Sequence, residues 1–228
     1  MKYEIQHNGA GSILSVELEK GETFKAAAGS LMGKSSTINL EGTVDGGALE
    51  AVKRALLGGG TLFFVTLKAI ESGGGAIIAP ALPGAIKILE IGEADSSGTY
   101  LQGHSFLATL GQVTLDTEMQ VAPVGLLTGE GLFVLHAAGK GALAVSAFGD
   151  LHYVKIEAGT DYLVDNGHLV AWRCDHSFKV EKSSTGWLSS FVSGEGLLWR
   201  FQGPAELWLQ TRNPHAFSHW MKHMIPTS

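Results

Sequence analysis

Apolar and polar residues alternate along most of the chain, and glycine turns interrupt the alternation at short intervals. The stretch 129–172 shows the pattern best, because it reads as four short strands separated by turns. Strict alternation over four to eight residues is typical of a strand with one buried face. Glycine suits the turns because it tolerates positive φ. The pattern predicts an all-β fold of antiparallel strands.

One segment of this pattern occurs twice without a gap. Residues 16–22, VELEKGE, align with residues 154–160, VKIEAGT. Eight residues after the turn glycine of each segment comes a second glycine, Gly29 in the first and Gly167 in the other. A fixed internal period indicates a repeated supersecondary unit. We therefore predict that Gly29 superposes on Gly167.

A second glycine motif recurs in the other half of the unit, and it supports a count of three antiparallel β-sandwich units. It occurs at residues 58–64, 129–133 and 194–199. We predict that Gly129 of the second copy superposes on Gly194 of the third. The predicted organisation is three β-sandwich repeats at 1–82, 83–149 and 150–212, followed by a C-terminal helix at 213–228.

Helical spacing occurs in two places. Leucine and valine at 49, 52 and 56 predict a helix inserted near residues 46–57. Asn213 and Pro214 are a suitable cap and first residue for the C-terminal helix. One face of this helix is apolar (Phe217, Trp220, Met221, Met224), which predicts that it docks on the body and that Trp220 is largely buried. His215, His219 and His223 lie on the opposite face, which we expect to meet water.

Composition excludes several classes of function. The net charge of −6 argues against a nucleic-acid platform, which needs clustered lysine and arginine. The start MKYEIQHNG lacks the apolar core of a signal peptide, and no run of 18 apolar residues occurs, so we expect a cytoplasmic protein without direct membrane insertion. The one cysteine, Cys174, has no disulfide partner in the chain.

No residue pattern predicts a catalytic, cofactor-binding or metal site. His215, His219 and His223 could share an ion, but no carboxylate or cysteine accompanies them, so a solvated face is the preferred interpretation. Cys174 and His176 lie two apart on a strand-like run, and we give them no nucleophilic role. Glu130 and Glu195 recur in glycine turns, where a carboxylate commonly accepts backbone N–H bonds. Gly139-Lys140-Gly141 lacks the spacing of a phosphate loop.

Three motifs carry a family resemblance over nearly the whole chain: GEGLF at 129–133, VDNGHLVAW at 164–172, and GEGLLWRFQGPAELWLQTRNP at 194–214. They resemble the mitochondrial-biogenesis family named for altered inheritance of mitochondria, which has many bacterial members. The resemblance implies a fold similar to the tryptophan RNA-binding attenuation protein, with units like a double-stranded β-helix, and assembly into rings or trimers. It implies no catalytic residues.

Our leading hypothesis is a non-enzymatic scaffold or adaptor that forms a homo-oligomer, most simply a trimer, and acts near membranes through an unidentified protein partner. Charged residues make up only 17% of the chain, and burial between subunits would explain that low share. One alternative is a small-ligand-binding protein with a pocket in or between repeats. A cupin-like metal enzyme is the least favoured alternative, because His136, His152 and His168 form no His-x-His cluster.

Overall fold

The computed structural model of the chain describes residues 1–43, 64–92, 98–120, 132–175, 178–182 and 197–224. The first strands are β1 (Lys2–Gln6), β2 (Ile13–Leu18), β3 (Thr23–Ala27), β4 (Leu31–Lys34), β5 (Ile38–Thr43), β6 (Phe64–Ala69) and β7 (Gly74–Ile78). The middle strands are β8 (Ile86–Ile91), β9 (Thr99–Gln102), β10 (Phe106–Gln120) and β11 (Leu132–Ser146). The last elements are β12 (Leu151–Ile156), β13 (Asp161–Asp165), β14 (Leu169–Cys174), β15 (Lys179–Lys182), β16 (Leu197–Gln202), β17 (Ala205–Gln210) and the helix α1 (Pro214–Met224).

The all-β prediction, with antiparallel sheets and a C-terminal helix, is confirmed. Alternation produces the strands as expected: in β2, Leu14, Val16 and Leu18 are buried, while Glu17 points to solvent. Successive side chains of a strand point to opposite faces, so one face of β2 enters the core. In the second half of β11 the alternation disappears, because residues 142–145 are buried on both faces.

The strands pair in the same order in three parts of the chain. In the first part, β7 lies between β2 and β4, and β6 lies between β3 and β5. In the last part, β17 lies between β12 and β14, and β16 lies between β13 and β15. In the middle, β8 and β9 hold the first two places, and the long strands β10 and β11 each hold two of the other four. The first half of β11 pairs with β9 and its second half with β8, while β10 runs along its other edge. The predicted domain limits and the likeness to the attenuation protein stay predictions.

Counted from β2, β8 and β12, the third strand of every part carries a register shift. It falls at the start of β4, β10 and β14, where each strand faces the last strand of its own part: between Leu31 and Gly33, between Phe106 and Ala108, and between Leu169 and Ala171. One extra residue is inserted at such a bulge, and it bends the strand. Gly29 and Gly167 each stand two residues before the first residue of their bulge. Their conformations differ, since only Gly29 has a positive φ, of 82°.

Glycines also line the place where the three parts meet. Gly84 forms one isolated parallel bridge with Gly11 and another with Gly149. Each of these glycines lies two residues before the first residue of a strand, β2, β8 or β12. The approach at Gly84 is so close that a Cβ there would overlap the carbonyl oxygen of Ala147. The meeting point therefore depends on the absence of a side chain at Gly84.

The core consists of three contiguous clusters, of which the third is aromatic. Trp172, Trp199 and Phe201 are fully buried in it, and Trp172 contacts both of the other two rings. Tyr100, from the middle part of the chain, stacks on Trp172 with ring centroids 5.7 Å apart. This cluster thus joins the middle and last parts by side-chain packing as well as by strand pairing.

The prediction that Trp220 is largely buried is wrong. Helix α1 has no buried residue, and Trp220 is 55% exposed. The helix is held at its start, where Asn213 caps it and Phe217 packs against Phe148 with ring centroids 5.1 Å apart. Trp220 stacks on Phe217, in the preceding turn. Helical spacing predicted an apolar face correctly, but in the described part of the chain Trp220, Met221 and Met224 of that face stay exposed.

Replacing Trp220 with alanine should change the free energy of unfolding by less than about 0.5 kcal/mol, because an exposed side chain loses little packing on truncation. Urea denaturation monitored by far-UV circular dichroism measures this change. Phe217→Ala is the matched comparison and should cost more, since Phe217 contacts the body. A loss for Trp220→Ala above this limit would show that Trp220 is packed after all.

Two sequence predictions lie outside the described residues. The helix expected near residues 46–57 is one of them. The other is the superposition of Gly129 on Gly194.

Candidate functional site

Two joints of identical register connect the three parts of the chain. Strand β3 pairs with β10, with Ala26 opposite Ala108. Strand β9 pairs with β14, with Leu101 opposite Ala171. Positions are counted from the first residue of each bulge, which is Leu31, Phe106 or Leu169. In both joints the residue of the earlier part (Ala26 or Leu101) lies five positions before the bulge of its own part. Its partner (Ala108 or Ala171) lies two positions after the first residue of the bulge in the next part. The second strand of one part therefore recognises the third strand of the next in a fixed way.

Over the described ranges, the two strand places that form these joints are each left unpaired once, one in the first part of the chain and one in the last. Strand β13 is the second strand of the last part, and β4 is the third strand of the first part. Among the described residues, neither has a hydrogen-bonded neighbour on its outer edge. The other terminal strands (β1, β5, β8, β12, β15) hold places that take no part in a joint elsewhere in the described chain.

Large apolar side chains are exposed on both open strands. Met32 of β4 is 66% exposed, and Tyr162 and Leu163 of β13 are 41% and 44% exposed. A groove of about 710 Å³ runs along β4 and β7, lined in part by Gly33 and Lys34. An unpaired edge with apolar side chains is a template for another strand.

A second feature is a cavity of about 340 Å³ beneath the start of α1, here called the histidine cavity. Its walls come from the connection before β8, the turns before β10 and β14, the ends of β11 and β17, and the first turn of the helix. His104 and His215 face it from opposite elements. Leu82, Phe148 and Pro214 supply apolar surface. All three parts of the chain meet at this cavity or directly beside it.

The surroundings hold His104 in its neutral form. Desolvation, with a smaller contribution from the nearby charge of His215, lowers the pKa of His104 to about 4. The residue as a whole is nevertheless partly open to solvent. With either a full or a reduced desolvation penalty, the imidazole is uncharged at pH 7.

Gln210 and Asn213 fix the walls of the histidine cavity. The buried Gln210 accepts a hydrogen bond from the backbone N–H of Phe148 at 2.9 Å and donates one to the carbonyl of Gly167 at 2.7 Å. Asn213 donates to Asp165 at 3.1 Å, and its Oδ1 accepts the first N–H groups of α1. Each connection ties one wall to another, so the cavity is formed before any ligand arrives.

The structure separates the residues that sequence analysis considered for chemistry. Cys174 is buried in the third core cluster, while His176, Glu130 and Glu195 lie outside the described residues. His136 lies on β11 with its Nδ1 4.0 Å from Glu118, whereas His152 lies on β12. His168 uses its Nδ1 to contact the carbonyl of Gln210. Within the described ranges, no group of three or more metal-ligating side chains could hold an ion.

The three histidines of α1 do not act as one set. His219 and His223 lie together, with ring centroids 4.5 Å apart and the Nδ1 of His223 2.8 Å from the carbonyl of His219. His215, one turn earlier, lines the histidine cavity instead. All three histidines are exposed, as predicted, and His215 in addition lines the histidine cavity.

Comparison with known proteins adds the family to this geometry. A family model described as mitochondrial biogenesis AIM24 matches residues 3–212. The chain belongs to this family. The match ends just before α1, and the matched residues include those of both joints and both open edges of this chain.

Two relatives of this AIM24 family chain come from Streptococcus pyogenes. An uncharacterized protein of serotype M6 is 28% identical over 236 aligned residues, which cover 100% of this chain and 92% of the relative. An X-ray crystal structure of a protein from the same species is 26% identical, with a TM-score of 0.80, over 98% of this chain and 99% of that one. The resemblance read from the motifs is thus confirmed at the level of the family.

Sequence analysis missed His104 and Gln210. His104 lies outside the motifs that the sequence analysis singled out, and Gln210 ends a strand, where a polar residue carries no distinct signal. None of the described helices of this AIM24 family chain combines the length and apolar character needed to cross a membrane.

Proposed function

We propose that this AIM24 family protein is a non-enzymatic scaffold that forms a homo-oligomer by pairing β13 of one copy with β4 of the next. The open edges support this proposal most directly: the chain uses one strand joint twice and leaves both halves of a third one exposed. A family match whose relatives carry no assigned reaction is compatible with a scaffold. The finer points, three subunits, a cytoplasmic location and a protein partner near membranes, belong to the same proposal.

The internal joints give the register of the proposed contact. Val164 lies five positions before Leu169, where the bulge of the last part begins, and Gly33 lies two positions after Leu31, where the bulge of the first part begins. The register of the internal joints therefore places Val164 opposite Gly33. The antiparallel neighbours are then Leu163 and Lys34. Both are solvent-accessible in the single chain, and Leu163 is one of the exposed apolar residues.

A contact between two different edges is heterologous, so it closes only if the copies form a ring. Three copies are the number we propose. Sedimentation equilibrium at micromolar concentration should then give three times the 24.0 kDa chain mass. A single species near 24.0 kDa would sink the scaffold proposal.

Leu163→Lys should weaken association roughly fivefold to tenfold, because it places two like charges opposite each other across the joint. Adding Lys34→Glu to the same chain restores opposite charges and should recover the association. The dissociation constants of the single and double variants, measured by analytical ultracentrifugation, test this compensation. Equal weakening in both would contradict the proposed register.

Cysteine cross-linking distinguishes a joint between copies from one that closes within a chain. An equimolar mixture of Leu163→Cys and Lys34→Cys should form a mixed disulfide dimer on oxidation, since directly opposite Cβ atoms in a sheet are about 4.5–5.5 Å apart. Leu163→Cys mixed with Leu40→Cys is the control, because Leu40 is also exposed but lies on β5. If a chain carrying both changes cross-links only to itself, the third joint is internal and the proposed assembly is wrong.

A further inference from the structure

We infer that the histidine cavity binds a small, neutral, mostly apolar molecule that carries one hydroxyl group. Its volume, about 340 Å³, is at the lower end of the range for ligand sites in proteins. It lies where several elements converge, which is a common place for such sites. The inference does not depend on the association of copies, because every wall belongs to one chain.

The cavity is preorganised for a ligand. Both polar atoms of the Gln210 side chain are already used in holding two walls together. The side chain of Asn213 is likewise already hydrogen-bonded, to Asp165 and to the first turn of α1. Ligand binding therefore loses little conformational entropy in ordering these walls. A ligand must take its polar contact from the polar side chains of the lining that remain, His104, Ser146 and His215.

The charges around the cavity favour a neutral ligand. Among its described lining residues, none is an aspartate, glutamate, lysine or arginine. A charged ligand would lose its hydration without gaining a counter-charge. Of the two titratable groups that face the space, His104 is neutral at pH 7. Behind the walls, Asp165 is occupied by Gly167 and Asn213, and His168 by the carbonyl of Gln210.

The neutral imidazole of His104 selects the polar group of the ligand. A neutral imidazole has one nitrogen that donates a hydrogen bond and one that accepts. A hydroxyl group can serve either nitrogen, whereas an ether or ketone serves only the donor. Leu82, Ala147 and Phe148 offer apolar surface for the rest of the molecule. A small aromatic alcohol matches this combination in size, charge and hydrogen bonding.

Three probes of nearly equal shape test the charge preference: benzyl alcohol, benzoate and benzylammonium. Each is titrated into the ¹⁵N-labelled full chain at pH 7.5 and followed by the amide signals of residues that line the cavity. Benzyl alcohol should shift the signals of Phe148, Gly167 and His215 in a saturable way, with a Kd on the order of 1 mM. Benzoate and benzylammonium should bind at least tenfold more weakly.

Two variants place the binding in the cavity. His104→Leu keeps the bulk of the side chain but removes the hydrogen bond to the ligand. It should lower the affinity for benzyl alcohol at least fivefold and leave the affinity for toluene unchanged. Ala81→Trp fills the exposed rim of the cavity and should abolish binding of both probes. His219→Ala, on the same helix but outside the described lining, should bind as the unaltered chain does.

Benzoate binding as tightly as benzyl alcohol would overturn the neutral class of ligand. Saturable shifts that survive Ala81→Trp would move the site elsewhere, and no saturable shift with any probe would refute the inference. These results are distinguishable from failure of the scaffold proposal, because they are measured on signals of one chain. Sedimentation of the same sample reports the oligomer independently.

Discussion

Replacing Trp172 with alanine should lower the free energy of unfolding by about 3–5 kcal/mol. Trp172 is fully buried at the centre of the aromatic cluster, and it contacts Phe178, Trp199 and Phe201. Truncation would leave a cavity that rigid neighbouring rings cannot fill. Because Trp172 also stacks on Tyr100, the loss affects packing between the middle and last parts of the chain. Urea denaturation followed by circular dichroism measures the effect.

Trp172→Phe is the matched control and should cost less than about 1.5 kcal/mol. The indole N–H of Trp172 has no hydrogen-bond partner among the described residues, so phenylalanine removes an unsatisfied buried donor while keeping most of the ring contacts. If phenylalanine costs as much as alanine, either the indole N–H is satisfied or the full width of the ring is essential.

Gly84→Ala should destabilise the chain by about 3 kcal/mol, at the upper end of what overpacking usually costs. The new Cβ would overlap the carbonyl oxygen of Ala147 and would lie 2.9 Å from the backbone nitrogen of Gly149. These are backbone atoms, so no side-chain rotation relieves the contact. The two chain segments that meet at this bridge must separate instead. Thermal and urea unfolding both report the loss.

Gly11→Ala is the corresponding control, because Gly11 bridges Gly84 from the other side. A Cβ at Gly11 meets nothing within 4 Å, and its φ lies outside the left-handed region. The change should stay within about 0.5 kcal/mol. A large loss at Gly11, or none at Gly84, would show that the parts of the chain meet differently from the bridges seen here.

Local pattern was enough to predict the strands, but it could not predict how they join. The alternation of Leu14, Val16 and Leu18 needs only a neighbouring core, so it is legible in sequence. The pairing of Ala26 with Ala108 joins residues far apart in the chain through backbone hydrogen bonds, and alanine carries no signature of such a partner. The repeat of VELEKGE made equivalent strands visible, yet which equivalent strands touch is a tertiary property.

The histidine cavity shows the same limit. Its walls come from six separate elements, and His104 acquires its low pKa only because those elements surround it. The prediction that Trp220 is buried failed for a different reason. Periodicity identifies an apolar face of a helix but does not indicate how much of that face is covered by the rest of the protein. The family, in contrast, could be recognised from three motifs, since their residues can be compared directly without knowledge of the fold.

The length of β11 has a consequence for how the molecule opens. This one strand, Leu132–Ser146, pairs with β8, β9 and β10 and packs against residues of all three core clusters. Fraying at an outer strand such as β15 breaks a single ladder, but detaching β11 breaks three ladders at once. Two of its partners, β10 and β9, are the strands that join the middle part to the first and last parts. In native-state hydrogen exchange, we expect the amides of residues 134–145 to exchange only through global unfolding, as the most protected block of the chain.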